Sequence, residues 1–206
     1  MPDETQNKII EAAMNLIMER GYSATTTKDI AAKAGVNECT IFRRFQGKKD
    51  IVLLAMQLPK WNPNLSEADF SYTGDVEQDL VSFSELYMKK VTPRMVKISI
   101  GLRTSELFPD TAEGILKVPQ VFKKVLEQYF QEMYQAGKIH DPEYENLAMM
   151  FLSMNFGFVF LNASFGKKLT KLKREEYIKS SIRVFLNGIC SVSYTHLRAH
   201  ETRRHL

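Results

Sequence analysis

A chain of 206 residues is long enough to bury a core without disulfides or metals, and its 44% hydrophobic and 25% charged residues are ordinary globular usage, which excludes a disordered or membrane-embedded composition. Lysine and arginine number 28 against 24 aspartates and glutamates, an excess too small by itself to point to nucleic acid. Two cysteines, Cys39 and Cys190, exclude a disulfide framework, and the first fifty residues carry no basic-then-apolar signal pattern, so the expected compartment is the reducing cytoplasm, with no membrane partner.

In chain order, Ile9, Ile10, Ala13, Leu16 and Ile17 follow helical spacing and predict a helix over Thr5–Arg20 that Gly21 stops. Thr26 and Asp29 have the spacing of a capping box, and Ile30, Ala31 and Ala34 carry a second helix over Thr27–Ala34. Gly35 breaks it. A third, short helix is predicted from Asn37 to Phe45 with Ile41 and Phe45 inward, and a fourth from Lys48 with Ile51, Leu54, Ala55 and Leu58 inward. The stretch from Pro59 to Gly74, rich in Pro, Asn, Ser and Asp, marks a boundary between a small unit, residues 1–58, and a larger one, residues 59–190. Six basic residues lie between Lys28 and Lys49 against only Asp29 and Glu38, so the positive charge is concentrated in the small unit.

Only helical signals follow. They predict helices over Asp75–Val91, Pro93–Leu107, Thr111–Ala136 with a break near Pro119, Pro142–Phe165, and Arg174–Cys190. No strand alternation appears, and the fold class is all-α. Ala148–Phe165 is just long and apolar enough to raise a membrane-spanning reading, but it contains Ser153, Asn155, Asn162 and Ser164. The better reading is a helix buried on most sides, with Gly157 admitting a close neighbour. Residues 191–206 are polar, lack an apolar stripe and hold His196, His200 and His205; they read as a tail outside the fold rather than a metal site.

Ala31, then three residues, Gly35, Val36 and Ile41 fit two short helices crossing steeply, a helix-turn-helix: Ala31 lets the backbones approach and Gly35 takes the turn conformation. On these residues and the whole run TTTKDIAAKAGVNECTIFRRFQGKKDIVLLA, Thr25 to Ala55, the segment Ile9–Leu54 resembles the DNA-binding domain of the TetR family. The resemblance implies that the end of the second helix and the start of the third meet double-stranded operator DNA. Thr27, Thr40, Arg44 and Lys48 then match phosphate contacts, and Lys28, Asn37, Glu38, Cys39 and Arg43 project as base-reading candidates. Phe42 departs from the family, where a tyrosine hydroxyl commonly reaches phosphate; anchoring then leans on Arg43, Arg44 and Lys48. Cys39 reads as a small neutral residue rather than a redox sensor.

Arg174–Cys190 presents Tyr177, Ile178, Ser181, Ile182, Phe185 and Ile189 as an adhesive face. The resemblance implies that the last two helices pair across a two-fold axis, giving a homodimer that reads the two halves of a palindromic operator. The density of methionine and aromatic residues from Phe83 onward suits a pocket for a small hydrophobic effector, with Trp61, Phe83, Tyr87, Phe122 and Phe156 as lining candidates. The functional expectation is a ligand-released repressor. Its competitors are a constitutive DNA binder and a helical protein-interaction module. An enzyme is disfavoured: no nucleophile-elbow, dinucleotide, phosphate-loop or zinc-protease motif occurs, and outside the tail His140 is the only histidine, so no catalytic residue, cofactor or metal is expected.

Overall fold

The computed structural model describes residues 1–62 and 65–190, so the tail assigned to residues 191–206 lies outside the described residues. Among the described residues all regular structure is helical: α1 (Glu4–Arg20), α2 (Thr27–Ala34), α3 (Glu38–Arg44), α4 (Lys48–Met56), α5 (Val76–Lys90), α6 (Pro93–Gly101), α7 (Phe108–Gln135), α8 (Tyr144–Phe165) and α9 (Arg174–Ile189). Single 3-10 turns at Glu67–Asp69 and Gly166–Lys168 join them.

Local chemistry sets most helix starts. Asp3 caps α1 and Thr26 caps α2, each in a reciprocal box with the residue three further on, while Asp75 and Thr92 cap α5 and α6 through single side-chain bonds. Two elements depart from the periodicity. The helix expected to reach Leu107 ends at Gly101, because there α6 meets α1: a Cβ on Gly101 would lie 2.8 Å from the Ile17 carbonyl oxygen. The chain then turns through short bonds, Arg103 to Ile100 (3.1 Å) and Leu107 to Thr104 (3.2 Å). Conversely, the break expected near Pro119 is absent, and α7 runs on through it. Proline removes one N–H and its ring crowds the preceding turn, but packing along α8 holds the helix on course.

Two apolar cores result. One gathers Ile9, Ile17, Ile30, Ile41, Ile51 and Val52 from α1–α4. It is not confined to residues 1–58, since Trp61, Ile98, Leu102 and Leu107 belong to it. The other gathers Phe83, Phe122, Tyr129, Phe130, Phe151 and Phe185 from α5 and α7–α9. Helix α6 joins the two, giving Val96 to the C-terminal core and Ile98 to the N-terminal one. A buried carboxylate fixes the approach to α5: Asp79 accepts from the Thr73 and Gly74 backbone N–H groups at 2.7 and 2.8 Å and from the Tyr129 hydroxyl at 3.1 Å. These donors offset the cost of burying the charge. On the far side α9 docks on α8 through the stacked rings of Phe158 and Tyr177, 4.0 Å apart, and the bond from the Tyr177 hydroxyl to the Met154 carbonyl at 2.7 Å.

Helix α8 corrects a further expectation. It is apolar enough to cross a membrane by length and composition, with a mean hydropathy of 1.5. Yet within one chain it is buried along one side only, through Leu147, Phe151, Leu152, Asn155, Val159 and Ala163, while Met150, Leu161 and Phe165 are exposed. Gly157 has open space beside it rather than a close neighbour.

Candidate functional site

The surface around α2 and α3 is built from caps outward. Gly35, at φ 68°, takes the left-handed conformation, and Val36 donates back to the Ala31 carbonyl at 3.0 Å, closing the turn. Asn37 then caps α3 by accepting from the Cys39 N–H at 2.9 Å. Ile41 and Phe45 anchor α3 in the core, which leaves Asn37, Cys39, Phe42 and Arg43 exposed on its outer side. Lys28 on α2 is exposed as well, and among the described residues neither Lys28 nor Arg43 has an ion-pair partner.

The other candidates have local attachments. Thr27 donates its hydroxyl to the Glu38 carboxylate at 2.6 Å, tying the start of α2 to the start of α3. Thr40 is half-buried on α3, and Arg44 pairs with Asp3. Lys48 is the most committed. Its ammonium donates to the Tyr22 and Thr25 carbonyls at 2.6 and 2.7 Å and lies 3.9 Å from the centre of the Tyr22 ring, and burial pulls its pKa down against the opposing charge of Glu106. The neighbouring Lys49 reaches out of the unit to Asp110 on α7, at 2.7 Å.

Tyr22, in the N-terminal core, ties the first helices to the segment that follows α6. Its ring is buried and its N–H donates to the Gly101 carbonyl at 3.1 Å. Its hydroxyl donates to Glu106 at 3.0 Å, and burial together with that bond pushes its pKa up. Periodicity alone does not single it out, because its partners lie some eighty residues on. Phe42 is a second residue the sequence undervalues. Its ring, 56% exposed on the outer side of α3, is open to apolar contact of the kind a thymine methyl offers.

A cavity of about 300 Å³ opens between the end of α4 and helices α5–α8. Trp61, Tyr87 and Phe156 stand on its wall, with Met56, Met95 and Met149. Phe83 and Phe122 do not: both are buried in an aromatic cluster, with Phe122 packed behind Tyr87 at 4.6 Å between ring centres. Among the described residues the Tyr87 hydroxyl has no hydrogen-bond partner, and burial raises its pKa, so it stays a neutral donor. Among the described residues Arg103 is the one charged residue on the wall.

An uncovered apolar surface completes the set. Val184 on α9 is 69% exposed, and Met150 and Phe165 on α8 are 60% and 55% exposed. No group of three or more potential metal ligands exists among the described residues.

Comparison with known proteins agrees with this arrangement. Residues 9–55 match the domain of bacterial regulatory proteins of the tetR family, and residues 80–188 match the C-terminal domain of AefR-like transcriptional repressors. The chain is 31% identical, over 90% of its length and 97% of the relative's, to the uncharacterized HTH-type transcriptional regulator YvkB of Bacillus subtilis. It is 24% identical, over 88% of its length and 98% of the relative's, to IcaR of Staphylococcus aureus, negative regulator of the biofilm operon icaADBC. Among solved structures it is similar in fold to NalD, the secondary repressor of the MexAB-OprM multidrug efflux pump in Pseudomonas aeruginosa (TM-score 0.65, 16% identity, 91% of this chain and 97% of that one). It is similar to the same degree to the regulator PfmR of Thermus thermophilus (TM-score 0.66, 19% identity, 87% and 97%). The chain belongs to the TetR family and is a DNA-binding transcriptional regulator of the repressor type, not an enzyme.

Proposed function

We propose that the protein is a cytoplasmic repressor that binds a palindromic operator as a homodimer and is released when a small hydrophobic effector enters the cavity. The observation that carries this reading is the pairing of an exposed, basic outer side of α3 with a separate apolar cavity walled by α5–α8. In it Lys28, Asn37, Glu38, Cys39 and Arg43 face base edges, with Phe42 beside them. Thr27, Thr40, Arg44 and Lys48 hold phosphates, Lys48 through the one N–H left after its two carbonyl bonds.

The dimer reading rests on the uncovered apolar residues of α8 and α9, which a second copy would bury about a two-fold axis. The contacts between the reading unit and the cavity wall support a route for release. Tyr22 and Lys49 tie the reading unit to the 101–110 segment that also forms cavity wall, so an effector that shifts this wall changes the spacing of the two α3 helices.

Selection of bound sequences from random duplex DNA by the full chain tests the reading. The expected product is a pair of inverted half-sites centred about 34–36 Å apart, one helical turn. Recovery of no preferred sequence, or of a single unpaired half-site, would overturn it.

A further inference from the structure

The cavity is not electrically neutral. Among the described residues no aspartate or glutamate stands on its wall, whereas Arg103 does, and it is exposed, at the opening. Among the described residues Arg103 has no ion-pair partner, and its guanidinium lies 5.9 Å from the centre of the Phe108 ring. The carboxylates nearby in sequence are engaged elsewhere: Glu106 accepts from Tyr22, and Asp110 pairs with Lys49. A second guanidinium lies just behind the wall. Arg94 stacks on Trp61 at 4.2 Å, with its Nε buried and unbonded. The Tyr87 hydroxyl, on a wall residue that is 2% exposed, has no acceptor among the described residues. Once an occupant displaces water, that donor goes unmet unless the occupant accepts from it.

We propose that the effector is an apolar acid: a hydrocarbon or aromatic body within the cavity, and a carboxylate at the opening held by the Arg103 guanidinium. This rests on the reading of the cavity as an effector site and assigns the chemical class of its occupant. Arginine favours a carboxylate because its fork of donors matches both oxygens, and the low-dielectric wall behind it strengthens the attraction. A neutral body of the same shape lacks that contact. A cationic one meets the like charge of the Arg103 guanidinium.

Trp61 is the only tryptophan in the chain and stands on the cavity wall, so its fluorescence reports occupancy without a label. The full chain is titrated with decanoate, 1-decanol and decyltrimethylammonium, each below its micelle concentration. Decanoate is expected to bind about tenfold more tightly than decanol, and the ammonium least, as a charge-assisted bond predicts. Arg103→Ala, at an exposed position, brings decanoate and decanol within about twofold of each other. Gly114→Leu, which fills the cavity beside Met56, abolishes the response to all three.

Decanol binding as tightly as decanoate, or a preference that survives Arg103→Ala, overturns the acid assignment while leaving an effector cavity. A saturable decanoate response that persists in Gly114→Leu places the acid elsewhere and overturns it too. No saturable response to any probe, in protein that still shows its thermal transition, overturns the effector reading itself.

Discussion

The two ends of this molecule solve different problems. In the N-terminal unit four helices of seven to seventeen residues are set by reciprocal caps on α1 and α2, a single cap on α3, a left-handed glycine and ion pairs such as Arg20–Asp29 at 2.6 Å, so three of the four starts are specified within a few residues and only α4 lacks a side-chain cap. In the C-terminal region α7 and α8 run for 28 and 22 residues with no side-chain cap at their starts, and between them lies space that side chains do not fill. The first is specified mostly by local signals. The second keeps an apolar cavity and an unpaired buried Asn155 Oδ1, features that lower stability and leave room to adapt.

That contrast can be tested from its largest expected effect downward. Phe151→Ala removes a fully buried ring from the C-terminal core, where it packs against Phe185 at 5.5 Å, and is expected to cost about 3–5 kcal/mol in urea unfolding. Because α6 shares its residues between the cores, the transition should shift as one. Two separated transitions would show that the regions are independent.

Val184→Glu combined with Phe165→Glu places charge on the uncovered surface of α8 and α9. Sedimentation should find a monomer, and operator affinity should fall at least about a hundredfold, since one half-site contact set is lost. An unchanged mass would put the dimer interface elsewhere. In the N-terminal unit, Lys48→Ala is expected to lower folding stability by about 1–3 kcal/mol as well as weakening binding to all duplexes, because the Tyr22 and Thr25 carbonyls lose their donor. A purely electrostatic loss with full stability would return Lys48 to a simple phosphate contact.

The smallest effect is a gain. Gly114 lies in α7, and a Cβ there would meet only the Met56 Cε at 3.7 Å and the Asn62 Nδ2 at 3.9 Å. Gly114→Ala should therefore add up to about 1 kcal/mol from helix propensity, raising the melting temperature, with little change in DNA binding. A loss of stability would mean that the wall is less yielding than its lining suggests.

The reading unit was legible because its signals are short-range. Thr26 and Asp29, and Gly35, each act within four residues, and the structure has them in the roles their spacing implies, whereas Asn37, read as the first residue of α3, is instead its cap. The cavity was legible only in part. Trp61, Tyr87 and Phe156 stand on the wall, whereas Phe83 and Phe122, of the same aromatic chemistry, are buried behind it. Hydrophobicity says that a ring leaves water; it does not say whether the ring meets another ring or an opening.

What the sequence determined by itself was the helical class, the helix-turn-helix and the concentration of positive charge on it, all consequences of periodicity, capping and turn chemistry along one stretch of chain. The tertiary structure alone decided four things: the end of α6 at Gly101, the passage of α7 through Pro119, the uncovered side of α8, and the placing of Arg103 on the cavity wall and of Tyr22 against Glu106. Each depends on contact between segments far apart in sequence, Gly101 with Ile17 or Tyr22 with Glu106. Local propensity carries no information about such partners, and packing overrides it wherever a helix meets another helix rather than water.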